Sequence, residues 1–380
     1  MNKPIYLDYN ATTPLNSEVI GAMKPFLEEH FGNPSSTNYY GTITKNAVEK
    51  ARLQVANLLG CSANEIVFTS GGTESNNYAI KGIALANKHK GNHIIISAIE
   101  HPAVIEVCKY LEKLGFSITY LAVNNAGCVN VSDVEKAITN NTILISVMHS
   151  NNEVGAIQPI QDIGFIANAK NIFFHTDAAQ SLGKVPVNVK LLGVDLLSLA
   201  GHKLYAPKGI GALYIKDGVK LEKMIHGAGQ ENGLRAGTEN VLEIVGLGKA
   251  CEVALRDLDK NIIRLSQLRY KLYQGLKEIL KDNILLNSDL KLSLPNTLNI
   301  SFKGIIANNF IHELNNNVVA SAGAACHSDT VKISHVLHAM KIPEIWAKGA
   351  VRFSVGVSTS EQEIENSIKH IVNLYILKTK

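Results

Sequence analysis

The chain has only five cysteines in 380 residues, too few and too scattered for a disulfide framework. Cys61, Cys108, Cys128, Cys251 and Cys326 are odd in number and form no CxxC pair. A reducing, cytoplasmic setting is therefore expected, and no metal site. Long apolar runs are also lacking. No stretch approaches the roughly 18 uncharged apolar residues that a spanning helix needs, so no membrane association is expected. Met1 to Leu7 shows no basic region leading into an apolar one, and a secretory signal is not expected. Charge of one sign is missing too. Lys and Arg number 37 against 33 Asp and Glu, interspersed, which leaves no footprint for direct nucleic-acid binding. What the chain does have is 46% hydrophobic residues beside 18% charged ones, and that excludes disorder. At roughly 150 residues per domain, the length suggests two domains or a large one with a smaller attachment.

From about residue 50 to 215, helical stretches alternate with short apolar, β-branched runs. Residues 66–69, 93–97, 118–123, 142–148, 172–176 and 211–215 read as strands, several apolar at consecutive positions, as in strands buried on both faces. Residues 75–88, 103–114 and 160–169 read as helices between them. The rhythm predicts an α/β fold around a mostly parallel sheet. Between about 240 and 279, proline is absent and apolar residues recur at helical spacing, which predicts one long or slightly broken connecting helix. Beyond it, strands are expected at 296–302, 318–322 and 350–355, and helices at 308–314, 334–340 and 361–377. Ser360 and Glu363 form a capping-box pair before the last helix. The expected organisation is a large domain over 16–255 and a smaller α+β domain made of 1–15 and 256–380.

Five clusters carry candidate chemistry. Ser70-Gly71-Gly72-Thr73-Glu74-Ser75-Asn76-Asn77 follows a strand and opens a helix, where small residues, free N–H groups and the hydroxyl donors of Thr73 and Ser75 suit an anion such as phosphate. It is neither GxGxxG nor a Walker loop, and such turns are also common without a ligand. Asp177, at a strand end, can face a protonated ring nitrogen, or simply cap the next helix. His202-Lys203, in a turn closed by Gly and Pro, offers a Schiff-base lysine or an ordinary solvated one. In this order on an α/β sheet, the cradle, the acid and the lysine are the three contacts that pyridoxal phosphate needs. Cys326 lies in Ala320-Ser-Ala-Gly-Ala-Ala-Cys-His-Ser-Asp329, a small-residue run that suits an exposed loop, with His327 placed to lower its pKa. The other four cysteines sit in helix- or strand-like surroundings or, for Cys128, beside a Gly turn, and read as packed or idle thiols. Arg352, alone in an apolar strand, calls for either an incoming carboxylate or a buried ion pair.

These residues belong to a longer series of ordered matches. Tyr6-Leu-Asp-Tyr-Asn-Ala-Thr-Thr-Pro14, Phe31-Gly-Asn-Pro-Ser-Ser36, Glu100-His101, His149-Ser-Asn-Asn-Glu-Val-Gly155 and Gly229-Gln-Glu-Asn-Gly-Leu-Arg-Ala-Gly-Thr-Glu-Asn240 extend it over essentially the whole length. The chain thereby resembles the cysteine desulfurases, pyridoxal-phosphate enzymes of fold type I akin to class-V aminotransferases. The resemblance implies that Lys203 carries the cofactor covalently, Asp177 pairs with its ring nitrogen, His101 stacks on the ring and Gln180 approaches the ring hydroxyl. Gly72, Thr73 and His202 would hold the phosphate, with Thr238 reaching the phosphate of the other subunit of a homodimer. Asn152, also beside the cofactor, and Arg352 would bind the substrate carboxylate. Lys203, His101 and Cys326 would be catalytic, with Cys326 taking sulfur from L-cysteine as a persulfide and leaving L-alanine. The sulfur would pass to an acceptor or scaffold protein, for iron–sulfur cluster assembly or thiolation.

Three positions depart from the family pattern: Ala200 where Ser is frequent, Asn38 where His is frequent, and Val357 where Arg is frequent. The Ala322-to-Asp329 run is similar to the cysteine loop of selenocysteine lyases, so release of selenium from L-selenocysteine is the nearest alternative. A transaminase of the same fold and a scaffold that has lost its cofactor are the others.

Overall fold

The computed structural model describes residues 3–322 and 333–379. The chain opens with a two-residue strand, β1 (Ile5–Tyr6), and then builds a seven-stranded sheet. Its strands are β2 (Ile66–Thr69), β3 (His93–Ser97), β4 (Ser117–Leu121), β5 (Thr142–Ser146), β6 (Phe173–Asp177), β7 (Leu196–Ala200) and β8 (Gly211–Ile215). The spatial order is β2-β8-β7-β6-β5-β3-β4, and every pairing is parallel except those of β8 with β2 and β7. The expected mostly parallel α/β sheet is thus present.

The consecutive apolar residues follow from helices on both faces. Ile94 and Ile96 point into one core with Leu144, Leu196 and Leu213, under the helices Gly72–Ala86 and Pro102–Glu112. Ile95 points the other way, into a core with Ile145, Phe174, Leu197 and Leu199. Each fully buried side chain of this kind contributes roughly 1.5–3 kcal/mol. The helices Ser17–Glu28 and Tyr39–Leu59 cover that second face and had no counterpart in the expected elements. Pro25 inside the first, and Gly41 with Thr42, Ile43 and Thr44 in the second, weaken their helical signal.

The helix Val241–Leu280 is the connector expected from its spacing. Ile244, Leu247, Ala250 and Cys251 pack into the large-sheet core, whereas Leu265, Leu268, Leu272, Leu276 and Leu280 pack into a separate core. That separate core lies on a four-stranded antiparallel sheet of β9 (Ile284–Leu286), β10 (Thr297–Phe302), β12 (Ser321–Ala322) and β13 (Ala350–Ser354), in the order β12-β13-β10-β9. The strand expected over 318–322 is divided. β11 (Val318–Val319) pairs with β1, and Ala320 is where the chain passes from that pair to the sheet. Leu7, from the N-terminal segment, also packs into the separate core. The closing helix Glu361–Thr379 carries the capping box: Ser360 N–H donates to Glu363 Oε2 at 2.7 Å and Glu363 N–H to Ser360 Oγ at 3.2 Å. Among the described residues, no helix is long and apolar enough to cross a membrane.

Candidate active site

A cavity of about 250 Å³ opens at the carboxyl ends of the parallel strands, the usual ligand position in such sheets. Gly72, Thr73, His101, Asn152, Asp177, Gln180, His202, Lys203 and Arg352 all border it. Residues up to 280 positions apart in the chain therefore meet there.

The anion cradle starts where β2 turns into the helix Gly72–Ala86. Gly71 makes that turn at φ 151°, a conformation that L side chains rarely adopt. A Cβ on Gly72 would lie 3.3 Å from Ala200 Cβ, so the two small residues keep the floor open. The first N–H groups of the helix lack intrahelical acceptors, and its dipole is positive at this end. Thr73 faces the cavity, but Ser75 does not. Its hydroxyl is buried, 2.7 Å from Thr69 Oγ1, and donates to Ala212 O at 3.1 Å, which corrects its reading as a second donor.

Asp177 ends β6. Its Oδ1 accepts the Ala179 N–H at 2.9 Å and its Oδ2 the Asn76 Nδ2–H at 2.7 Å. It is 7% exposed and has no ion-pair partner among the described residues. Turn-capping and cavity-facing roles therefore coexist. His101 caps the helix Pro102–Glu112, accepting the Ala103 N–H on Nδ1 at 3.1 Å. A neutral ring held this way carries its hydrogen on Nε2. Burial lowers the His101 pKa, Asp177 opposes that, and Lys203 and His335 lower it further.

Lys203 ends the short 3₁₀ turn Gly201–Lys203 after β7. Its Nζ donates to Asn10 O at 2.6 Å and to Ala11 O at 2.8 Å. Burial pushes its pKa down to about 8, with Arg352 lowering and Asp8 and Asp177 raising it. A sizeable neutral amine fraction near neutral pH makes it a competent nucleophile toward an aldehyde. Burial, with Lys203, Lys208 and Lys184 nearby, brings His202 down to about 4, so it offers a neutral ring.

The N-terminal segment is the part the sequence reading left without a role. It lies across the lysine turn: Thr13 Oγ1 donates to His202 O at 3.0 Å and accepts the Tyr205 N–H at 2.8 Å. Gln180 Nε2 donates to the same Asn10 carbonyl at 2.9 Å. Asp8 pairs with Arg352, Oδ1 to Nη2, at 2.7 Å. Arg352 also donates to Asn152 O at 2.9 Å and Ser321 Oγ at 3.0 Å, while its buried Nε has no partner among the described residues. The ion pair orients the guanidinium at the border of the cavity. The signal for Asp8 and Asn10 was present in Tyr6–Pro14, a matching run whose polar residues had no assigned work.

Thr238 is exposed and does not border the cavity of its own chain. Its loop is tied to the helix Tyr39–Leu59 by Arg52–Glu231 at 2.7 Å, to β2 by the Phe68 N–H that Glu231 Oε2 accepts at 2.9 Å, and to the cradle helix by Arg235–Glu74 at 3.0 Å. Cys326, His327, Ser328 and Asp329 lie outside the described residues. Cys108 and Cys251 are buried, Cys61 and Cys128 half-buried, and none borders the cavity. Burial raises all four thiols, those of Cys61 and Cys108 to about 12, which keeps them inert. Of the three departures, Asn38 caps the helix Tyr39–Leu59 by accepting the Gly41 N–H at 2.9 Å, and the Val357 N–H donates to Tyr205 Oη at 3.0 Å. Ala200 lies on the cavity floor.

The arrangement suits a ligand that joins an aldehyde, a basic ring nitrogen and an anionic arm. Comparison with known proteins agrees with it. The class-V aminotransferase family profile matches residues 5–366. A cysteine desulfurase IscS of Dictyoglomus turgidum is 50% identical over 369 residues, covering 97% of this chain and 93% of that protein. A solved NifS-like protein superposes with a TM-score of 0.93 at 38% identity, covering 99% of this chain and all of the other. A structure described as SspA in complex with cysteine gives 0.83 at 40% identity over 92% of this chain and 98% of its own. The chain belongs to the class-V aminotransferase family and, within it, to the cysteine desulfurases.

Proposed function

We propose that this enzyme takes sulfur from L-cysteine with pyridoxal phosphate and Cys326. The observation that carries the reading is the pairing, across one cavity, of a half-buried, nucleophilic Lys203 with the carboxylate of Asp177, which has no cationic partner among the described residues. Asp177 would hold the ring nitrogen, Lys203 the aldehyde, His101 the ring face, and Gln180 the ring hydroxyl. Gly72, Thr73 and His202 would hold the phosphate. The small residues Gly72, Ala179 and Ala200 leave room for the group. Bound there, the cofactor supplies a sink for the electron pair that develops beside the substrate nitrogen.

The chain's own residues do the rest. Arg352, held by Asp8, and Asn152 fix the substrate carboxylate. Lys203 takes the proton from the substrate α-carbon. The Cys326 thiolate attacks the substrate sulfur, so an S–S bond forms as the Cβ–S bond breaks. Its electron pair stays with the carbon, which is then protonated to give L-alanine. His101 Nε2–H is the neutral donor facing this chemistry.

The same reading assigns the cofactor to residues 16–255 and the cysteine-bearing loop to a unit of 1–15 and 256–380. The packing of Leu7 with Leu265 to Leu280 supports that division. A homodimer, with Thr238 reaching across to the other chain's phosphate, fits the exposed aromatic cluster of Phe31, Tyr39 and Tyr40. A cytoplasmic enzyme feeding an acceptor protein, for iron–sulfur assembly or thiolation, accords with the names of its relatives.

Mass spectrometry of the protein after incubation with L-cysteine tests the central claim. One added sulfur on Cys326, with L-alanine released, is expected. Cys326→Ser should abolish both and keep the cofactor's visible band. Full turnover of cysteine by that variant refutes the assignment. Running the same assay on L-selenocysteine separates a desulfurase from a selenium-releasing enzyme.

A further inference from the structure

Lys184 is a buried lysine with no counter-charge. It is 5% exposed, its Nζ donates to Gln180 Oε1 at 2.9 Å, and among the described residues it has no carboxylate within ion-pair reach. Burial, then Lys203 and Arg352, brings its pKa to about 7. Leaving a cationic side chain in such a place is costly unless the position needs what the amine does. In either protonation state, Nζ carries N–H bonds and donates.

That donation settles which way the Gln180 carboxamide faces. A donor at one end requires the carbonyl oxygen there, so the amide nitrogen occupies the other end. Nε2 indeed donates to Asn10 O at 2.9 Å, the carbonyl that also accepts from Lys203 Nζ at 2.6 Å. Lys184, Gln180, Asn10 and Lys203 thus form one hydrogen-bonded line, of which the last three border the cavity and Lys184 lies behind them. Nε2 has a second hydrogen, and Gln180 borders the cavity.

We propose that Lys184 is a positioning residue that locks the Gln180 carboxamide so that Nε2, and not Oε1, is offered to the ring hydroxyl oxygen of bound pyridoxal phosphate. This rests on the cofactor reading above. The line is built from neighbouring turns of one segment. Ser181 N–H donates to Ala178 O at 2.9 Å and Lys184 N–H to Ser181 O at 3.0 Å, so both side chains emerge from a fixed frame. Removing the lysine leaves Gln180 Oε1 buried without its donor and the carboxamide held only by the Nε2–H to Asn10 O, so the hydrogen offered to the ring oxygen loses its fixed direction. The cost falls on cofactor binding and on the electronic state of the ring.

The test titrates cofactor-free protein with pyridoxal phosphate and records the dissociation constant and the position of the visible band at one pH. Lys184→Met and Gln180→Ala should each weaken binding about tenfold, the scale of one lost hydrogen bond with a stranded partner, and shift the band alike. The double variant should be no weaker than Gln180→Ala, and Lys184→Arg should recover the wild-type band. Wild-type binding and spectrum in Lys184→Met overturn the proposal. So does an undiminished effect of Lys184→Met in the Gln180→Ala background, which marks a merely structural lysine. If Lys184→Met does not fold, Lys184→Leu, which likewise carries no donor, takes its place, and an unchanged band there is equally fatal. Wild-type protein that binds no pyridoxal phosphate at all defeats the cofactor reading itself, a distinguishable result.

Discussion

Asp8 offers the sharpest test of how the site is held, because among the described residues its ion pair is with Arg352, which borders the cavity. The pair is 2.7 Å apart, with side chains 12% and 10% exposed. Asp8→Ala leaves the guanidinium with Asn152 O and Ser321 Oγ, both neutral, and with an Nε that already has no partner. Removing one member of a buried ion pair costs about 3–5 kcal/mol, since the survivor keeps its desolvation without its counter-charge. The adjoining cavity admits water to Arg352, which places the expected loss near the low end, about 3 kcal/mol. Asp8→Asn keeps an acceptor in place and should lose about 1–2 kcal/mol.

Urea denaturation of the cofactor-free protein measures this, followed by the fluorescence of Trp346, the single tryptophan, which lies just before the strand of Arg352. Combining Asp8→Ala with Arg352→Met removes both charges. The double variant should therefore be more stable than the sum of the single losses implies, by more than about 1 kcal/mol. In turnover, Asp8→Ala should raise the KM for cysteine more than it lowers kcat, because carboxylate binding is shared by ground and transition states. A loss under about 0.5 kcal/mol for Asp8→Ala, or a strictly additive double variant, means that solvent screens the pair, and the reasoning fails.

Three further outcomes follow from the charges around the cavity. With its pKa lowered to about 8, Lys203 should condense with an added aldehyde increasingly from pH 7 to 9, not only above 10; Arg352→Met should move that midpoint up and Asp8→Asn move it down, as a pH series of initial rates shows. Burial raises the Glu100 pKa to about 8, so the folded state keeps a proton that the unfolded chain releases above the usual carboxyl range. Stability should therefore fall as pH rises from about 4.5 to 8, and Glu100→Gln, in a pH series of denaturation midpoints, should flatten that slope. Gly72→Ala places a methyl 3.3 Å from Ala200 Cβ and should weaken cofactor binding in an equilibrium titration while leaving the fold intact by circular dichroism; unchanged affinity would show that the floor has slack.

The two kinds of residue at this site differ in how legible they are, and the difference is physical. Lys203, Asp177 and Thr73 would act through their own functional groups at the ends of strands and the start of a helix, and for Asp177 and Thr73 hydrophobic periodicity locates those positions within about three residues. Their chemistry can be read from residue type once the element is placed. Asp8 and Arg352 gain meaning only from each other, 344 positions apart, and Arg352 alone could be read either as a carboxylate clamp or as half of an ion pair. The structure shows the ion pair with Asp8 and sets the same arginine at the border of the cavity. Asn10 is less legible still, because it serves Lys203 and Gln180 through its backbone carbonyl, a group that every residue has. Lys184 is hidden for the opposite reason. In a sequence, a lysine reads as solvated, and only its burial beside Gln180 shows that it works as a hydrogen-bond donor. The groups proposed to carry the chemistry are therefore legible by residue type and element, whereas the groups that would aim them emerge only from the way distant segments cross.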